Sequence, residues 1–247
     1  MIFDGRAFAR DRVEQLKLLI RQSPTPLRVN FILFEGNQTG ETFVKLKTRL
    51  AEEIGVKTVT DCWPTDLSIP EVKSRLKKMG KDTSIDGIVL QLPLPKGLVK
   101  DTQEILDTIP VTKDIDGLTT GSCFQPAVVG AVMTVIDHFK LVEPKMITVV
   151  IGARGWVGQR MVQALKNKGL KVLEINRDTK SKFEDIKKAD LIISCTGQAN
   201  LITADLVKDG VAVFDLGVMR VDSRGNKLAG DVDFEQVAPK AKFITPV

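Results

Sequence analysis

Residues 149–165 read VVIGARGWVGQRMVQAL, which places Gly152, Gly155 and Gly158 three apart between a β-branched run and a helix-like pattern of Met161, Val162 and Leu165. Glycine lets a backbone approach a pyrophosphate, and a helix start offers unpaired N–H groups and a favourable dipole. The spacing is one residue longer than the usual G-x-G-x-x-G turn, but strand before and helix after is the context that turn needs. A structural strand-to-helix turn could carry the same glycines, so spacing alone leaves both readings open. The next strand ends EINRDT, with Asn176 and Arg177 at its tip. An acidic tip binds the ribose of NAD, whereas an arginine suits a 2′-phosphate. NADP is therefore favoured, and Asp178 keeps NAD as the alternative.

A second group lies in the first half. In ETFVKLKTRLAEEIG, Phe43, Lys47, Leu50 and Ile54 fall on one helical stripe. Lys47 in that stripe is either snorkelling at its edge or a partly buried amine that can act as base or hydrogen-bond donor in a cleft. Gln91 interrupts the apolar run DGIVLQLPLP and needs a partner if buried. Asp114 and Asp116 in KDIDG occupy positions where aspartate forms turns, and Asp231 and Asp233 in GDVDF are read as turn residues. No cluster has metal-ligand spacing.

Composition narrows the chemistry. The 247 residues include one histidine (His138), no tyrosine and three isolated cysteines, Cys62, Cys123 and Cys195. Multi-histidine metal sites and tyrosine proton relays are excluded, and no disulfide framework is expected. Acid–base work falls to Lys, Asp or Glu. The net charge of +5 is well interspersed, and KSRLKKMGK reads as a solvated helix face, not a nucleic-acid stripe. No apolar stretch has the length to span a bilayer, and an N-terminus charged from Asp4 onward does not read as a secretory leader. A cytoplasmic protein without membrane or nucleic-acid partners is expected.

The elements that must position these residues alternate. A helix is predicted over 5–21, then strand RVNFILFEG, a helix over 41–54 stopped by Gly55, strand KTVTDCW, a helix with Pro70 in its first turn, and strand DGIVLQLPLP. After a helix over 126–139 come ITVVIG, KVLEIN, ADLIISCTG, GVAVFDLG and AKFITPV, continuous apolar runs typical of buried parallel strands. The expectation is two α/β domains, 1–120 and 121–247, the second a Rossmann-type parallel sheet, with the active site in the cleft between them.

The ordered series FVKLKTRLAEEIG, DGIVLQLPLPKGL, KDIDGL, VVIGARGWVGQRM, ADLIISCTGQ, VFDLGVMR, LAGDVDFE and ITPV resembles the bifunctional methylenetetrahydrofolate dehydrogenase/methenyltetrahydrofolate cyclohydrolase family across essentially the whole chain. The resemblance implies oxidation of methylenetetrahydrofolate with NADP, then hydrolysis of the methenyl product to formyltetrahydrofolate, in one-carbon metabolism that supplies purine biosynthesis. It implies a homodimer formed through the cofactor domain. The family's Tyr-x-x-x-Lys motif falls on Phe43 and Lys47, its cleft glutamine, which partners the lysine, on Gln91, and its pterin-binding aspartate on Asp116. Lys47, Gln91 and Asp116 are then the catalytic set, joined in substrate binding by Phe43, Leu92 and Pro93. The implied cofactor set is Gly152, Ala153, Arg154, Gly155, Val157, Gly158, Asn176, Arg177, Thr196, Gly197 and Val218.

The chain departs from the family pattern in several places. Phe43 keeps the ring but lacks the tyrosine hydroxyl. The turn reads Gly152-Ala153-Arg154 where the family has Gly-Arg-Ser, so the phosphate-binding arginine is shifted to Arg154 or replaced by Arg177. The loop between Asp116 and Pro126 is short, and the family continues past ITPV into a glycine-rich loop and a helix. These departures keep two alternatives in view, a dehydrogenase alone and a catalytically incomplete NADP-binding homologue. The NRDT tip also resembles shikimate dehydrogenases, which the QLPLP and KDIDG segments fit less well.

Overall fold

In the computed structural model, residues 1–179, 182–220 and 228–247 are described. Three apolar runs of the first half, β1 (Arg28–Phe34), β2 (Lys57–Trp63) and β3 (Gly87–Leu90), pair in parallel in the order β2-β1-β3. Central β1 buries Phe31, Ile32, Leu33 and Phe34, as a strand covered on both faces must. The unit's helices are α1 (Gly5–Arg21), α2 (Gln38–Glu53), α3 (Ile69–Lys81) and a short α4 (Thr102–Leu106), with α2 packed on β1 and β2 and α1 bonded to the end of α2 through Lys17 and Glu53. Gly55, at φ 93°, ends α2 in the left-handed region, and Pro70 opens α3. The strand expected over DGIVLQLPLP stops at Leu90, where the proline-rich segment cannot keep donating to a ladder. Together these elements form one unit, Arg6–Ala127.

The other unit comprises Met1–Gly5 and Val128–Val247. After α5 (Ala127–His138), the chain alternates β4 (Thr148–Ile151), α6 (Trp156–Asn167), β5 (Val172–Ile175), α7 (Lys182–Lys188), β6 (Leu191–Ser194) and β7 (Val211–Asp215). An antiparallel pair of two-residue strands, β8 (Met219–Arg220) and β9 (Leu228–Ala229), then α8 (Phe234–Val237) and β10 (Ala241–Ile244) complete it. The five-stranded sheet is parallel, in the order β10-β7-β6-β4-β5. The order reverses at β4, so the carboxyl ends of β4 and β6 flank a topological switch point, where open α/β sheets bind ligands. The first residues join this sheet: Phe3 N donates to Ile244 O, and the Phe3 ring packs on Phe139 and Phe243.

Candidate functional site

In the first unit the site begins at the start of α2. Asn37 caps the helix by accepting from Gly40 N at 2.8 Å, and its Nδ2 donates to Pro93 O at 3.3 Å. One side chain thus ties α2 to the segment after β3. The helix turns Gly40 and Val44 into the core, where Val44 meets Phe31, Leu33 and Val89. The stripe of Phe43, Lys47, Leu50 and Ile54 therefore does not face the core, and Phe43 is 50% exposed. Val44 is buried on the core face, and Gly40 brings the helix start close to Leu33 of β1. A Cβ at Gly40 would lie 2.8 Å from Leu33 Cδ1.

Lys47 neither snorkels freely nor enters the core. Its Nζ donates to both oxygens of Asp116, at 2.8 and 3.1 Å, with the two side chains 33% and 18% exposed. The two aspartates of KDIDG have different tasks. Asp114 is buried and accepts from Thr119 N at 2.8 Å, so it holds the turn. Ile88 N donates to Lys113 O, which fixes the segment along β3. Gly117, at φ 68°, follows directly, and a Cβ there would meet the Gln125 backbone at 2.5 Å. Asp116 is thereby presented to α2.

Gln91 departs from expectation. Its Nε2 donates to Leu92 O at 2.9 Å and its Oε1 is buried without a partner among the described residues, while Asp116 takes the lysine. The amide sits one residue past β3, anchored by Gln91 N to Ile32 O, so the backbone aims it back along its own loop. Leu92 is half-buried and Pro93 exposed on that loop.

In the second unit, a cavity of about 280 Å³ opens at the switch point. Gly152, Gly155, Asn176, Arg177 and Thr196 line it, joined by Ile175, Cys195, Gln198, Leu201 and Leu206. The glycines have separate reasons. Gly152, at φ 82°, lies where a Cβ would be 2.8 Å from Cys195 O. Gly155 caps α6 with extended backbone. Gly158 packs so closely beneath the turn that a Cβ would stand 2.2 Å from Gly152 O. The first helical bond is Gln159 N to Gly155 O, so the amides of Trp156, Val157 and Gly158 precede the ladder, as at any helix start.

Asn176 joins the turn to β5 by accepting from Arg154 N at 2.9 Å. The two candidate phosphate cations are distinguished here. Arg154 Nη1 donates to Asp178 at 2.7 Å, a hydrogen bond that holds the Asp178 carboxyl below its usual range, whereas Arg177 lines the cavity. Ala153 is buried beneath the turn, while Gly197, at φ 65°, and the exposed Val218 do not line the cavity.

Sequence reasoning missed several members of this site. Asp231, read as a turn residue, is completely buried and accepts from Ser194 Oγ, Thr196 N and Gln198 N. Asp233 does cap a turn, accepting from Gln236 N at the start of α8. Asp215 accepts from the amides of Gly217, Asp231 and Val232, and burial, with the nearby Asp231 charge, pushes its carboxyl up despite those bonds. Cys195 donates to Ile151 O, and burial followed by the Asp231 charge pushes its thiol up to about 12. Polar residues inside GDVDF and ending VAVFD were the only available signal, and their partners lie too far along the chain for spacing to find.

Comparison with known proteins agrees with both halves. Residues 3–116 match the model of the tetrahydrofolate dehydrogenase/cyclohydrolase catalytic domain, and residues 126–247 that of the NAD(P)-binding domain of the same enzymes. The bifunctional protein FolD of Nitratiruptor sp. is 35% identical over 259 residues, covering 100% of this chain and 90% of that one. The crystal structure of the bifunctional dehydrogenase/cyclohydrolase FolD from Campylobacter jejuni superposes with a TM-score of 0.92 at 33% identity, covering 100% and 91%. The Trypanosoma brucei enzyme, solved with NADP cofactor and an inhibitor, has a TM-score of 0.91 at 24% identity, covers 100% and 90%, and speaks to the fold alone.

Proposed function

The chain belongs to the tetrahydrofolate dehydrogenase/cyclohydrolase family, and from that premise we propose that it oxidises methylenetetrahydrofolate to methenyltetrahydrofolate with NADP and hydrolyses the product to formyltetrahydrofolate. The observation that carries the reading is that each matched domain holds its own built site, Lys47 on Asp116 in one and the glycine-turn cavity in the other. The cavity lining suits the adenosine end of a dinucleotide: the turn of Gly152 and Gly155 brings the start of α6 to the cavity for phosphates, Ile175, Leu201 and Leu206 offer an apolar wall to adenine, and Arg177 is the cation we assign to a 2′-phosphate. NADP, when bound, accepts the hydride, and the chain's part in that step is alignment.

The residues of the first unit then divide the folate work. Asp116 accepts hydrogen bonds from the amino group and ring N–H of the pterin, which fixes its orientation. The two oxygens have acceptor sites for those donors beside Lys47, whose amine is then held next to the substrate to orient the attacking water. The half-exposed Phe43 ring stacks on the pterin without a hydroxyl to bond it. Gln91, one residue beyond β3, keeps its amide on its own loop here, and we assign it to the substrate site on the family resemblance alone. We infer further that the enzyme is a cytoplasmic homodimer whose formyl product supplies purine biosynthesis, expectations that rest on the family resemblance.

The test is NADP reduction by the chain given methylenetetrahydrofolate, with NAD in parallel and methenyl and formyl products followed separately. NADPH with formyl product is expected. NADPH with methenyl product alone would make this a dehydrogenase whose cyclohydrolase step needs the missing hydroxyl, and no reduction despite NADP binding would reject the proposal.

A further inference from the structure

Two buried carboxylates adjoin the cofactor cavity without lining it. Asp231 Oδ2 accepts from Ser194 Oγ and Thr196 N, both at 2.7 Å, and Oδ1 accepts from Gln198 N at 2.9 Å. Thr196 and Gln198 are themselves cavity-lining residues, 35 and 33 positions away in sequence. The segment after β6 has its backbone bonded to the segment that carries Asp231: Asn200 N donates to Gly230 O, Ile202 N to Asp231 O, and Asp233 N to Ile202 O. Asp215 in turn fixes that segment through the amides of Asp231 and Val232. Two glycines make room for the pair. A Cβ on Gly217 would lie 2.0 Å from Asp231 Oδ1, and one on Gly230 would lie 1.9 Å from Asp215 Oδ2.

We propose that Asp231 is the positioning residue of the cofactor site: by holding the Ser194 hydroxyl and the amides of Thr196 and Gln198, it shapes the cavity wall and sets the affinity for NADP without touching it. The inference rests on the NADP-binding reading above. A desolvated carboxylate costs a core free energy unless every lone pair is used, and a hydrocarbon of equal size would pack there more cheaply. What only an acceptor on both oxygens can do is hold three donors that converge from a strand end and the loop following it. Asparagine keeps the shape but turns one oxygen into a donor, so at least one loop amide faces another N–H.

The experiment compares the full wild-type chain with Asp231→Asn by calorimetric titration with NADP, by steady-state kinetics and by amide hydrogen exchange without ligand. A rise of about tenfold to a hundredfold in the dissociation constant and KM for NADP is expected, as for loss of a bond to a charged group. kcat at saturating NADP and KM for methylenetetrahydrofolate should hold, with faster exchange confined to residues 195–202. NADP affinity equal to wild type overturns the inference, and so does faster exchange throughout the unit, which would mark a merely structural role. If Asp231→Asn does not fold, Ser194→Ala decides. It removes one donor, and a smaller loss of NADP affinity with faster exchange at 196–198 supports the inference, whereas no change in either overturns it. Wild-type chain that binds NADP but forms no methenyl product rejects the proposed reaction and leaves this inference to be decided by affinity.

Discussion

Lys47 Nζ lies 2.8 and 3.1 Å from the two carboxylate oxygens of Asp116, joining a helix to a turn 69 residues further along the chain. Each partner satisfies the other where a lone half-buried charge would be costly. The pair also links the two residues' roles, since each holds the other's charged group.

Lys47→Gln should therefore abolish hydrolysis while sparing the cofactor. A fall of about 10²–10⁴-fold in formyl product is expected, the usual contribution of a positioned acid or base. NADP affinity should stay at the wild-type value, because every residue lining the dinucleotide cavity belongs to the other unit. Hydrolysis at the wild-type rate would remove Lys47 from the mechanism.

Arg177→Ala tests which arginine reads the 2′-phosphate. Because Arg154 is bonded to Asp178 and Arg177 lines the cavity, the substitution should weaken NADP relative to NAD. A charge-assisted contact of about 1.5–3 kcal/mol corresponds to roughly tenfold to a hundredfold. Equal weakening of both cofactors, measured by titration, would assign the phosphate elsewhere.

Gly158→Ala sets helix propensity against packing. Alanine inside α6 should gain about 1 kcal/mol of propensity, but its methyl would stand 2.2 Å from Gly152 O. Overpacking of this kind typically costs about 1–3 kcal/mol, and backbone has less freedom to yield than a side chain. Thermal unfolding should show a lower Tm and titration a weaker NADP complex. A variant as stable as wild type would mean that the turn can shift at no cost.

The three cysteines should differ in reactivity. Cys62 and Cys123 are exposed, whereas Cys195 is partly buried with its thiol pushed up to about 12. The thiolate is the reactive form, so alkylation at mildly alkaline pH should label Cys62 and Cys123 in the native chain and Cys195 only after denaturation. Mass spectrometry that found Cys195 labelled as fast as the others would contradict the packing around β6.

Asp190 provides a pH test of the second unit. Burial acts to raise its carboxyl, but the Lys208 ammonium at 2.6 Å and the Ile147 amide at 2.7 Å outweigh it and hold the group below its usual value. A depressed folded value gives stability that is fully present above the ordinary range near 3.8 and lost as pH falls through the folded value. Asp190→Asn should cost about 1–2 kcal/mol at neutral pH, and the gap from wild type should close in acid. Denaturant titrations showing a gap independent of pH would assign the loss to packing.

The sequence by itself determined what is local. Its apolar runs became the parallel strands of both sheets, and Gly55 and Pro70 punctuated their helices as expected, because capping depends on backbone freedom within a few residues. The glycine turn was legible for the same reason, since strand, turn and helix are contiguous. The relative standing of Arg154 and Arg177 was not, because it depends on whether Asp178 is within reach of the turn. Tertiary structure also decided which face of α2 is buried, where Gly40 and Val44 turn to the core and Phe43 stays half-exposed. It gave Lys47 to Asp116 instead of Gln91, and it made Asp231 a buried acceptor for loop amides instead of a turn residue. Each of these outcomes depends on donors and acceptors that meet only once sheet register is fixed, and a periodicity read along one strand or helix carries no record of what lies across from it.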